Sequence, residues 1–159
     1  MSSDDERLEQ ALGIAYRLMN ARDRTVSEMR RQLERKGVDA STREQAIGTL
    51  AELGYLDDQR FARMFIADKR ELERWGEDRI RSGLLSRGID RDLVETQLDE
   101  IRGIDEETEL DRALSLLRRR FPAPLRERRE RDRALGVLLR KGYDSELALN
   151  ALTAYARGD

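Results

Sequence analysis

Cysteine and histidine are both absent from these 159 residues. Their absence removes disulfides, thiolate and imidazole nucleophiles and the usual zinc ligands together. Long apolar runs are missing as well: no stretch approaches the ~20 apolar residues that span a bilayer. The opening MSSDDERLEQ is polar and acidic, where a signal peptide needs a basic and then an apolar run. A cytoplasmic chain without membrane contact is expected. Strand patterning is lacking, because β-branched residues are scattered and never alternate. There is also no excess of basic charge: 31 Lys plus Arg face 33 Asp plus Glu, for a net charge of −2. A uniformly basic nucleic-acid binder is excluded, and a locally basic one is not.

What is present is charge and repetition. Charged residues are 40% of the chain and hydrophobic ones 38%, a balance that sets many solvated helix faces over modest cores and predicts a thin molecule. Three segments end alike, LERKGVD around Gly37, LLSRGID around Gly88 and LLRKGYD around Gly142. Four residues before each glycine stand Leu33, Leu84 and Leu138; one after stand Val38, Ile89 and Tyr143; two after stand Asp39, Asp90 and Asp144. A left-handed glycine ends a helix, the apolar residue after it folds back on the leucine, and the aspartate caps the next helix. Apolar helix stripes recur downstream at Ile47 and Leu50, Leu98 and Ile101, Leu152 and Tyr155, and upstream from Ala11, Phe61 and Ala113. The expected fold is all-α: three tandem three-helix repeats at residues 1–56, 57–103 and 104–159, forming an elongated array of right-angle-packed helices with scope to curve.

Local signals set the boundaries. TVSE (Thr25–Glu28) and STRE (Ser41–Glu44) match the capping box and give first-repeat helices near 5–21, 26–36 and 42–53, with Asp39 and Ser41 both open as the third helix's cap. Gly76, in WGED, breaks the second repeat; Pro122 and Pro124 end a helix at Phe121 and stiffen the loop after it. The joint GYLDDQRFA (Gly54–Ala62) carries one job per letter. Gly54 stops a helix, Tyr55 folds back on Leu50, Asp57 caps the next helix through the amide of Gln59 or Arg60, Leu56 and Phe61 form a hydrophobic staple, and Asp58 gains from the helix dipole. A catalytic pair at Asp57 and Asp58 lacks partners, since adjacent helical residues point ~100° apart and no histidine or metal cluster stands by.

GYLDDQRFA, the run from Arg24 to Gly37, WGEDRIRSGLLSRGID and the three tandem units resemble the bacterial RecX family of recombination regulators, over nearly the whole chain from Leu8 to Tyr155. The resemblance implies a non-enzymatic, cofactor-free monomer. It implies binding to the RecA recombinase filament on single-stranded DNA, in its helical groove, restraining ATP hydrolysis and strand exchange in recombination, DNA repair and the SOS response. The net negative charge makes direct DNA contact weak.

The charges sort by helix. Basic residues exceed acidic ones in all three middle helices, and acidic residues exceed basic ones in all three third helices. Units stacked alike would carry a cationic stripe and an anionic one. The candidates for filament or DNA contact are Arg30, Arg31, Arg35, Lys36, Arg79, Arg81, Arg87, Arg118, Arg119, Arg120, Arg126, Arg128, Arg129, Arg131, Arg133, Arg140 and Lys141, with the cluster flanking the proline loop the strongest for phosphate. For any single residue, a solvated face with i,i+4 pairs explains the pattern equally well. Trp75, Met19, Met29, Met64 and Phe65 read first as packing. The rival functions are a helix-turn-helix regulator that reads duplex DNA without a recombinase and a protein scaffold indifferent to nucleic acid.

Overall fold

The structure, a computed structural model, describes residues 2–158. Among the described residues there are nine helices and no strand: α1 Ser3–Ala21, α2 Val26–Arg35, α3 Ala40–Glu52, α4 Asp58–Glu71, α5 Glu77–Ser86, α6 Arg91–Ile104, α7 Glu109–Arg120, α8 Arg128–Lys141 and α9 Ser145–Ala156. Every extensive helix pairing lies inside one consecutive group of three. Each group closes its own core. Met29, Leu33, Ala46 and Leu50 meet Ala11 and Ala15 in the first; Ala62, Ile66, Ile80, Leu84, Val94 and Leu98 fill the second; Ala113, Leu117, Ala134, Leu138, Ala148 and Ala151 fill the third. The accessible surface of 9832 Å² exceeds the about 8,200 Å² of a compact chain of this mass, so the molecule is surface-rich.

The helix ends follow the sequence signals. Thr25 and Thr108 form capping boxes with Glu28 and Asp111, and Asp39, Asp90 and Asp144 cap the third helix of each group. At the open choice in the first group the structure selects Asp39, whose carboxylate accepts from the Thr42 amide at 3.1 Å, so the STRE box does not form. Gly37, Gly54, Gly88 and Gly142 all have positive φ, between 81° and 97°. The amide after each donates to the carbonyl of the leucine five residues before it, as in Tyr55 to Leu50 at 2.9 Å. Asp57 accepts from Arg60 at 3.1 Å. The expected staple is not the arrangement found, because Leu56 is buried in the first core while Phe61 packs against the second. Met64 is half exposed rather than packed.

The groups meet through helix ends. The start of α2 abuts the end of α5: Thr25 Oγ1 donates to Arg87 O at 2.7 Å, and a Cβ on Gly88 would lie 2.3 Å from Ser27 Cβ. The start of α5 abuts the end of α8 in the same way. Gly76 N donates to Lys141 O at 2.7 Å, Asp78 N to Gly142 O at 3.1 Å, and a Cβ on Gly142 would lie 2.7 Å from Arg79 N. The middle helices therefore run head to tail, α8 to α5 to α2. A second contact repeats beside each joint, where the first residue of one group's opening helix caps the preceding group's middle helix. Asp58 Oδ1 accepts from Val26 N at 2.9 Å and Glu109 Oε2 from Glu77 N at 3.0 Å, both spanning 32 residues. Asp58 thus does more than sit in a dipole: it holds two groups together.

Both carboxyls are pushed above their ordinary values by burial, against the pull of the amides they accept from. A carboxyl raised on folding keeps its proton to higher pH than in the unfolded chain, so its contribution is fully present below the unfolded value and is lost as pH rises through the folded one. Asp58→Asn, which keeps an acceptor oxygen but cannot ionise, should lessen the fall in stability just above pH 3.8, the ordinary aspartate value, in urea titrations compared with the parent. The glycines give a second test. Gly37 and Gly142 share the left-handed strain of about 1–2 kcal/mol for a side chain, but a Cβ meets nothing within 4 Å at Gly37 and meets Arg79 at Gly142. Gly142→Ala should therefore cost about 1–3 kcal/mol more than Gly37→Ala by denaturant unfolding.

Candidate nucleic-acid interface

The structure divides the candidate cations into those already engaged and those free. Arg30 grips Glu44 with two bonds of 2.9 Å, and Arg81 grips Glu95 and Asp78. Arg30 and Arg81 stand seven residues before their glycine, Glu44 and Glu95 seven after. The arginine hydrogen bonds hold both glutamates below the usual carboxylate range. In each of these groups one glutamate of the third helix is thus paired with one arginine of the middle helix. Arg87 donates to Gly83 O and lies 4.7 Å from the Phe65 ring centre; Arg79 lies 4.0 Å over Trp75 and donates to Arg140 O; Lys141 donates to Glu73 O at 2.8 Å. Arg79, Arg87, Arg140 and Lys141 therefore sit at joints.

The third group departs from this scheme. The positions of the Arg–Glu pair are taken by Leu135 and Leu149, so no third-helix carboxylate meets the α8 arginines there. Arg118, Arg119, Arg120, Arg126, Arg128, Arg129, Arg131 and Arg133 are all exposed, and among the described residues only Arg128 has an acidic partner within 4.0 Å, the exposed Asp132. Sequence folds this region into one cluster. Phe121 and the prolines turn the chain between α7 and α8, Leu125 is buried in the third core, and Tyr155 Oη donates to Phe121 O. Three arginines in the last turn of α7 suit the negative helix end, but Arg128 and Arg129 stand in the first turn of α8, where the dipole disfavours cations and Glu127 makes no side-chain cap bond. Arg31, Arg35 and Lys36, exposed and without an acidic partner among the described residues, form a smaller cluster at the end of α2.

Sequence reasoning passed over an ionic network between the second and third groups. Arg70 and Arg112 are each only 4% exposed. Arg70 bonds Glu77 at 3.3 Å and Asp105 at 3.4 Å; Arg112 bonds Asp105 at 2.9 Å, Glu109 at 3.3 Å and Glu107 O at 2.9 Å; Arg102 forks onto Glu77 at 2.8 and 3.0 Å. Burial lowers the pKa of Arg70, and the hydrogen bonds of Glu77 raise that of Arg102. Charged letters in a chain this charged gave no sign of burial. The network borders a cavity of about 500 Å³ lined by Ile66, Ile101 and Ile104. Among the described residues no group of three or more acidic, histidine or cysteine side chains is placed to hold a metal. Removing one partner of a buried ion pair costs about 3–5 kcal/mol. Glu77→Ala, which strips both Arg70 and Arg102, should lower stability by roughly 3 kcal/mol and red-shift emission from Trp75, the single tryptophan, as the joint beside it loosens.

Known proteins share both the sequence and the arrangement. Residues 11–50 match the first three-helix domain of RecX and residues 57–98 the second. A regulatory protein RecX of Deinococcus radiodurans is 33% identical over 96% of this chain and 71% of its own length. That of Trichlorobacter lovleyi is 35% identical over 84% and 87%, and that of Mycobacterium avium 31% over 96% and 88%. The crystal structure of RecX from Lactobacillus salivarius superposes with a TM-score of 0.81 at 16% identity, covering 98% of this chain and 99% of that one. A second crystal structure of a regulatory protein RecX gives 0.73 at 21%, over 89% and 70%. Two matched helix triplets, relatives above 30% identity along most of the chain, and the same fold place this protein in the RecX family of regulatory proteins.

Proposed function

We propose that this chain is a non-enzymatic, cytoplasmic, monomeric regulator of the RecA recombinase that lies along the filament RecA forms on single-stranded DNA and restrains ATP hydrolysis and strand exchange. The observation that carries this reading is the cluster of exposed arginines from Arg118 to Arg133, nearly all without an acidic partner among the described residues. Guanidinium groups without carboxylate partners suit phosphate oxygens, which they bind in fork geometry. Binding would be sensitive to salt, because each phosphate neutralised releases counterions. The modular row would touch several recombinase subunits at once, so that weak contacts add and the filament's conformational changes are resisted. Division into repeats at 1–56, 57–103 and 104–159 belongs to the same reading: each repeat is one contact module. Duplex reading without a recombinase would fall to α8 alone, since the first turns of α2 and α5 are engaged in joints and a recognition helix needs a free N-terminus in the groove.

Charge reversal tests the cluster. Arg128→Glu with Arg129→Glu should weaken inhibition of recombinase ATP hydrolysis on single-stranded DNA, reduce the salt slope of filament binding by roughly 1–2, and leave helix content by circular dichroism unchanged. Unaltered inhibition would remove the cluster from the interface. Tighter binding to naked duplex than to filament would favour the regulator that acts alone.

A further inference from the structure

The head-to-tail row of middle helices leaves one docking position unused. The ends of α5 and α8 each receive the first turn of another middle helix, at Gly88 and Gly142. The end of α2 has the same construction: Gly37 at φ +82°, Leu33 buried, and Val38 folded back on the Leu33 carbonyl at 3.1 Å. Yet nothing stands within 4 Å of a Cβ placed on Gly37. Ile89 and Tyr143 are buried at the two occupied ends, and their counterpart Val38 is half-buried. Arg43 takes the Val38 carbonyl at 3.1 Å, but the carbonyls of Lys36 and Gly37, equivalents of those that accept Gly76 N and Asp78 N at the α8 end, accept from no group among the described residues. A cavity of about 220 Å³ opens there, floored by Ala11, Ile14 and Val38, and a neighbouring one runs along Ile14, Leu18 and Ala21 of α1.

We infer that the end of α2 is a vacant docking site for the first turn of a helix on another protein, one that has a glycine, serine or threonine cap followed by acidic residues. The chain's own joints supply this specification. The caps received are Thr25, whose hydroxyl donates to Arg87 O, and Gly76, whose amide donates to Lys141 O; the first turn after Thr25 carries Glu28, and that after Gly76 carries Glu77 and Asp78. Charge agrees. The rim carries Arg17 and Lys36, with Arg7 beside them 3.9 Å from Asp4, while the carboxylate of Asp39 is taken up by the amide and hydroxyl of Thr42 at 3.1 and 2.7 Å. A second copy of this chain is a poor occupant through its one corresponding free end. The start of α8 has Glu127 as cap with Arg128 and Arg129 behind it, a bulky, basic turn facing a basic rim.

The probe is a synthetic peptide with the sequence of residues 74–86, which presents the Gly76 cap with Glu77 and Asp78, titrated into the full-length, isotopically labelled protein. Isolated helices of this length are marginal in water, so affinity is weak and amide chemical shifts are the suitable readout. The amides of residues 36–39 and of Ile14 should move, and those of Gly88 and Gly142, already in contact with Ser27 and Arg79, should not. A peptide carrying Glu77→Lys and Asp78→Lys should bind at least fivefold more weakly, as should the original peptide to Lys36→Glu protein that keeps its circular dichroism spectrum. No movement at residues 36–39, shifts centred on Gly88 or Gly142, or equal binding of the charge-reversed peptide would each overturn the inference. None of these outcomes depends on the arginine cluster of α7 and α8, so this site and the filament reading stand or fall separately.

Discussion

Everything in this molecule depends on a backbone that can come very close to another backbone at the end of a middle helix. At Gly88 and Gly142 the chain turns left-handed with no side chain in the way, and the first turn of the neighbouring middle helix lies where a Cβ would be. Helix ends carry amides and carbonyls without partners in their own helix. Setting a positive end against a negative one pairs amides with carbonyls at the α8–α5 joint, puts the Thr25 hydroxyl on Arg87 O at the α5–α2 joint, and aligns the dipoles head to tail. The contact is small, and it is reinforced by a carboxylate from the next opening helix, Asp58 or Glu109, which caps the incoming amide.

This construction leaves each three-helix group to make its own core and the groups to be joined by polar contacts. The two joints differ in strength of reinforcement. Between the first and second groups stand the Thr25 hydroxyl, the Asp58 cap and the Ser27–Gly88 contact. Between the second and third, the buried guanidinium groups of Arg70 and Arg112 share Asp105, and Trp75 lies against Arg79 and Lys69. Buried ion pairs are strict about geometry, because a displaced charge loses its partner without regaining water. The second joint is therefore the more extensively bonded of the two.

Cations are distributed to match. Where the middle helix faces an acidic third helix, as at Arg30–Glu44 and Arg81–Glu95, surface charge is consumed internally. Where leucines replace that pair, at Leu135 and Leu149, the arginines of α8 remain available. A chain with a net charge of −2 thereby keeps a concentrated basic surface, a property that net charge alone conceals.

The sequence by itself determined the class, the number of helices and nearly every helix end, because glycine stops, aspartate and threonine caps and apolar spacing act over a few residues and leave a local record. It determined the residues of the GYLDDQRFA joint, and Asp57 caps as its position requires. Only the tertiary structure decided which arginines were free. Arg30 and Arg129 look alike as letters in basic helices, and their difference lies fourteen residues away at Glu44 in one case and in the absence of an acidic partner among the described residues in the other. It also decided that Asp58 caps a helix of the preceding group and that Arg70 and Arg112 are buried together. Pairing and burial depend on distances between groups far apart in the chain, and no local pattern encodes them.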